Sequence, residues 1–142
     1  MDAHVVVDAS VWVSWLQPFD ANHDASRFWV ERYIAEGGLL VAPALVLVEV
    51  AAAISRRTGQ PLVARETIKN LYKVSALRLL SFHDRLMWVA VEVAADLRLR
   101  TGDAVYVAVA RRHNIPLISW DKEQLRKASS QTTTYTPDEY PF

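Results

Sequence analysis

The sequence predicts one α/β domain of three layers, with helices on both faces of a mainly parallel sheet. Three short apolar runs without polar alternation, at residues 4–7, 39–42 and 115–120, read as strands buried on both faces. Stretches with helical spacing separate them, and strands alternating with helices describe a parallel sheet with crossover helices. A length of 142 residues fits a single domain, because two halves would each have little core.

The elements follow in order. After the first strand, Trp12, Trp15 and Leu16 fall at i, i+3 and i+4 and predict a helix over 10–16, broken by Pro18. A second helix spans 25–35 and stops at Gly37-Gly38. The second strand, 39–42, leads into a helix over 43–57, with Pro43 tolerated in its first turn. Pro61 opens a helix to residue 74, and a short strand is expected at 77–82. Asp84 is placed as the N-cap of a helix reaching residue 99. Thr101-Gly102-Asp103 reads as a break and cap before a helix over 104–113. The third buried strand, a short helix at 122–128 and an edge strand at 132–135 complete the chain.

Composition narrows the function. Hydrophobic residues make up 51% and charged residues 23%, a soluble globular balance. The formal net charge is zero, so nucleic-acid binding has to rest on a local basic patch. With no cysteine, disulfides, thiolate zinc sites and cysteine nucleophiles are excluded, which fits a cytoplasmic protein. The N-terminus lacks the basic region of a secretory signal. The longest apolar stretch, 39–48, holds Pro43 and ends at Glu49, well short of the ~20 residues of a membrane span.

Ligands of open α/β sheets bind beyond the carboxyl ends of the strands. Asp8 ends the first strand and Asp121 follows the third, although each also suits a turn or helix cap. Glu49 is the only charged residue between Leu39 and Ile54, and burying an unpaired carboxylate costs several kcal/mol. Such a group is retained when it is paired, metal-bound or facing a cleft. Asp103 starts a helix, where the helix dipole alone would favour it. Four acids converging on one crevice would repel each other unless a hard divalent cation, Mg²⁺ or Mn²⁺, joined them. His4, His23, His83 and His113 are scattered without ligand spacing.

Four segments in this order carry a resemblance: Val6-Val7-Asp8-Ala9-Ser10, the stretch from Pro43 to Ala53 around Glu49, Thr101 to Ala110 around Asp103, and Pro116 to Asp121. The chain resembles the PIN-domain ribonucleases, and within them the VapC-type toxins of toxin–antitoxin pairs. It departs from them in Ser119, where Thr is more usual, in the bulk of Trp120, and in Thr101-Gly102, where an aromatic is more usual. The resemblance implies hydrolysis of RNA phosphodiesters by a metal-activated water. Asp8 and Asp103 would hold Mg²⁺ or Mn²⁺, Asp121 and Glu49 joining them directly or through water. Glu49 or Asp121 would orient the nucleophile. It also implies an antitoxin partner and a homodimer.

Ser10 and Ser119 are candidates for fixing carboxylate rotamers, with turn capping as their plain alternative. Lys122 and Arg126 are candidate phosphate contacts; Arg56, Arg57, Arg111, Arg112 and Lys127 are further cations near the motifs. Trp12, Trp15, Phe28, Trp29 and Tyr33 read as core packing between the first two helices or as a groove for a partner. Three other functions compete: a stand-alone PIN nuclease, a phosphoacceptor enzyme using Asp8, and a non-cutting scaffold. The phosphoacceptor reading lacks a second Asp two residues after Asp8, where Ser10 stands.

Overall fold

The computed structural model describes residues 1–142. Its elements are β1 (His4–Val7), α1 (Ala9–Leu16), α2 (His23–Ala35), β2 (Leu39–Pro43), α3 (Leu45–Thr58), α4 (Pro61–Tyr72) and β3 (Leu77–Leu80), followed by α5 (Asp84–Leu97), α6 (Thr101–His113), β4 (Leu117–Ile118), α7 (Lys122–Ala128) and β5 (Thr134–Tyr135). The five strands form one sheet in the order β3-β2-β1-β4-β5, and every pairing is parallel.

That order fixes the layers. From β1 the chain steps outward to β2 and β3, then returns across the sheet to β4 and β5. Right-handed crossovers put α1 to α4 on one face and α5 to α7 on the other. The expected three-layer α/β domain is what forms. The reversal of direction lies between β1 and β4, at the carboxyl end of β1, which is where such sheets bind ligands.

Val5, Val6 and Val7 are fully buried, as an unalternating central strand requires. Every residue of α6 from Ala104 to Ala110 is buried, so this helix is apolar all round and small enough in its side chains to run close under the sheet. The boundaries expected from the sequence shift at several ends. Pro43 closes β2, paired with Leu80, and α3 starts only at Leu45; a proline at a strand end costs little of the ladder. The helix α2 begins earlier, at His23. His83, not Asp84, caps α5, its Nδ1 accepting from the Leu86 N–H at 3.2 Å. No break occurs at Thr101: α6 starts there, which moves Asp103 from a cap into the first turn.

Trp12, Trp29 and Tyr33 lie in the core, whereas Phe28 is exposed, so most of the aromatic cluster is packing. Tyr140 closes over Trp29 and Tyr33 edge-on, and its hydroxyl donates to Asp2 Oδ2 at 3.0 Å, tying the two termini together.

Candidate active site

Asp8 leaves β1 at its carboxyl end and caps α1, with Oδ2 accepting the Ser10 N–H at 2.9 Å. The plain and the functional readings therefore coexist in one side chain. Only 6% of Asp8 is exposed, so its carboxylate has lost most of its water. Burial is the main cause that raises its pKa, with the charge of Asp121 adding to it, while hydrogen bonds from Ser10 and Gln124 oppose the rise.

The other acids arrive from opposite layers of the sandwich. Glu49, on α3, shares a hollow with Asp8, Ser10 and Asp103, the last coming from α6. Glu49 Oε1 is buried and has no hydrogen-bond partner. The Tyr106 hydroxyl of α6 is likewise buried beside Glu49 without closing a hydrogen bond to it. Burial raises the pKa of Glu49, the neighbouring Tyr106 hydroxyl pulls it down, and the charges of Asp8 and Asp103 raise it further. Asp103 is pushed up to about 6, first by burial and then by Asp8 and Asp121, against a lowering pull from Arg100. Asp121 lines an adjoining hollow, which Asp103 also borders, and its Oδ1 caps α7 through the Gln124 N–H at 3.1 Å. Asp8 and Asp103 thus feel the charge of Asp121, Glu49 feels theirs, and Asp103 stands at the junction of the two hollows. As the side chains stand, no three acidic or imidazole groups converge as ready ligands for a single ion.

The two serines hold the loop between the strand ends. Ser10 Oγ accepts the Trp120 N–H at 3.0 Å and lies 3.3 Å from Ser119 Oγ, which in turn accepts the Asp121 N–H at 3.0 Å. They bridge β1 to the segment after β4 and fix where Asp121 begins.

Two features of the site go beyond the sequence reading. Gln124 is buried, and its amide N–H₂ lies 3.4 Å from both Asp8 Oδ1 and the Asp103 carbonyl. A neutral donor there favours the charged form of Asp8 without adding to the repulsion. The cations differ too. Lys122 and Arg126 line a separate hollow with Ser129, Thr134 and Glu139, away from the acids. At 100° per residue the face of α7 carrying Lys122 and Arg126 turns away, and Gln124 and Lys127 face the site. Beside the acids stand Arg98, Arg100 and Lys127 on one side and Arg56 and Arg57 on the other.

The family model described as PIN domain matches residues 5–129, a span that contains all four acids. The chain belongs to the PIN domain family. No curated protein matches this PIN domain in sequence. Its fold is similar to that of VapBC2 from Rickettsia felis, solved bound to a DNA fragment from their promoter, with a TM-score of 0.73 and 13% identity over 94% of this chain and 98% of that one. It is also similar to Mycobacterium tuberculosis VapC20, a Sarcin-Ricin loop cleaving toxin, with a TM-score of 0.69 and 22% identity over 84% and 92% of the two chains. FitAcB from Neisseria gonorrhoeae gives a TM-score of 0.72 at 14% identity, covering 94% and 97%. At such identities the likeness is one of fold. No helix of this PIN domain is long and apolar enough to cross a membrane.

Proposed function

We propose that this PIN domain is a divalent-metal-dependent endoribonuclease and the toxin of a VapBC-type pair. The observation that carries the reading is the buried Glu49 oxygen outside hydrogen-bond reach of any partner, set beside Asp8 and Asp103 at the reversal point of the sheet. Folding a set of crowded, partly buried carboxylates is costly, and sites of that kind are kept for function.

The donors are all carboxylate oxygens, which suits a hard cation, Mg²⁺ or Mn²⁺. Mg²⁺ is commonly held by one or two carboxylates and retains several waters, so Asp8 and Asp103 together with water would suffice to hold it. Asp8 and Asp103 would hold the ion, with Glu49 and Asp121 reaching it directly or through water. When bound, it supplies neutralising charge at the phosphate and makes water more acidic. Glu49, whose burial favours its neutral form, suits a group that takes and returns a proton during hydrolysis. Ser10, Ser119 and Gln124 orient the carboxylates, Gln124 by donating to Asp8 Oδ1. Arg100, close enough to Asp103 to lower its pKa, adds positive charge where an RNA phosphate would enter.

An antitoxin protein as partner belongs to the same reading, supported by the fold shared with VapBC and toxin–antitoxin complexes, and a homodimer is part of the proposal. The test is RNA cleavage by rigorously purified protein with Mn²⁺ or Mg²⁺ and with EDTA. Cleavage that needs the metal and disappears in folded Asp8→Asn and Asp103→Asn supports the proposal; undiminished cleavage by folded Asp8→Asn overturns it.

A further inference from the structure

Asp103 borders two hollows, and each is lined by cations as well as acids. One opens between α1 and α3 and ends at Arg56 and Arg57. The other is lined by Arg98, Arg100 and Lys127 together with Asp121 and Glu123, and contains a single apolar residue, Leu99. The cations are not equally committed. Arg57 is held by Asp20 at 2.6 Å, and Lys127 by Glu123 at 3.2 Å and by the Arg98 carbonyl at 3.2 Å. Arg56, Arg98 and Arg100 have no acidic partner within 4.0 Å.

A phosphodiester is itself an anion and meets repulsion from four carboxylates. Cations on both sides of the acids lower that barrier while leaving the acids free, and a guanidinium matches a phosphate in a two-pronged geometry. The backbone at Arg98 is fixed, since it caps α5 in the left-handed region at φ 54° and its carbonyl accepts from the Lys127 ammonium, while the guanidinium stays exposed. Arg100 follows two residues later, as the N-cap of α6.

Resting on the nuclease reading, we infer that single-stranded RNA crosses the site along a phosphate track, with the scissile phosphate at Asp103, a neighbouring phosphate on Arg98 and Arg100, and the next one on the opposite side at Arg56. Lys122 and Arg126 lie off this track. The track assigns the cations of the second hollow to substrate backbone.

The experiment is fluorescence anisotropy of a labelled single-stranded RNA with the full chain in EDTA, where no cleavage intervenes, repeated over a range of NaCl concentrations. The paired variant Arg98→Gln/Arg100→Gln is expected to weaken binding and to reduce the slope of log K against log[salt] by about 0.7 for each phosphate no longer neutralised. Arg56→Gln should free one phosphate in this way, and Lys122→Gln/Arg126→Gln none. All five side chains are exposed, and a thermal melt confirms that each variant folds. An unchanged slope in the Arg98/Arg100 pair overturns the track, as does an equal loss in the Lys122/Arg126 pair. The nuclease reading fails separately: wild-type protein that binds RNA with the expected slopes but cuts nothing with Mn²⁺ leaves the track standing and removes the catalysis.

Discussion

The indole N–H of Trp120 donates to the hydroxyl of Ser26 at 2.7 Å, which joins the residue before Asp121 to α2. Ser26 Oγ lies 2.6 Å from Ser14 Oγ on α1, so three elements meet in one polar chain under the surface. The backbone N–H of Trp120 is held at the same time by Ser10. Both N–H groups of this residue are thus used to set the path of the chain into Asp121.

Trp120→Phe keeps an aromatic ring and deletes the indole N–H. It should cost about 1 kcal/mol, the usual net value of one intramolecular hydrogen bond, and lower the melting temperature by a few degrees. Differential scanning fluorimetry checks this, and an unchanged midpoint would show the bond to be idle.

Glu49→Gln preserves shape and removes a charge that burial and two neighbouring acids oppose. The variant should melt at a higher temperature than the wild type in EDTA and lose RNA cleavage on the order of a hundredfold or more. Stability and activity moving in opposite directions is the signature; a variant both less stable and fully active contradicts it.

Stability without metal should fall as pH rises across the acidic range. The folded-state pKa of Asp103 is about 6 against 3.8 for the free side chain, and those of Asp8 and Glu49 are raised as well. The native state then binds more protons than the unfolded chain between about pH 4 and 6, so ionisation of Asp103 destabilises the fold through that window. Mn²⁺ cancels the repulsion, and its stabilising effect should be larger at pH 8 than at pH 5. Melting temperatures at both values, with and without Mn²⁺, decide it.

Gly102→Ala addresses the close approach of α6 to Glu49. A Cβ at Gly102 would stand 2.8 Å from Glu49 Oε2, so the carboxylate has to move. Replacing glycine by alanine stabilises a helix interior by about 0.8–1.0 kcal/mol, and a first-turn position such as Gly102 by less. Here the gain should be offset by the displaced acid, with little net change in melting temperature and a clear loss of Mn²⁺ affinity by calorimetry. Unaltered Mn²⁺ affinity would mean that the position of Glu49 is not critical.

Much of this was legible in the chain. Val5-Val6-Val7 read as an interior strand, and an acid such as Glu49 alone in an apolar helix advertised a special environment. The boundaries that moved did so for tertiary reasons. Glycine's low helix propensity suggested a break at Thr101-Gly102, but the close approach to Glu49 needs a residue without a side chain, and α6 runs through it. Gln124 carried no chemical signal of its own; its place on the face of α7 shared with Leu125 and Ala128 was the available hint. Charge near a motif in sequence was a partial guide to charge near it in space: Arg56, Arg57 and Lys127 do border the acids' hollows. Lys122 is adjacent to Asp121 in the chain and points away, whereas Arg98 and Arg100 reach the same acid's hollow from the turn between α5 and α6.

Whether the four acids share a cation is decided by a crystal grown with Mn²⁺ and measured at the manganese absorption edge. An anomalous peak bonded to carboxylate oxygens of Asp8 and Asp103, with Glu49 or Asp121 within one water of it, is expected. Manganese bound elsewhere, with these acids turned to separate solvent, would refute the shared metal site.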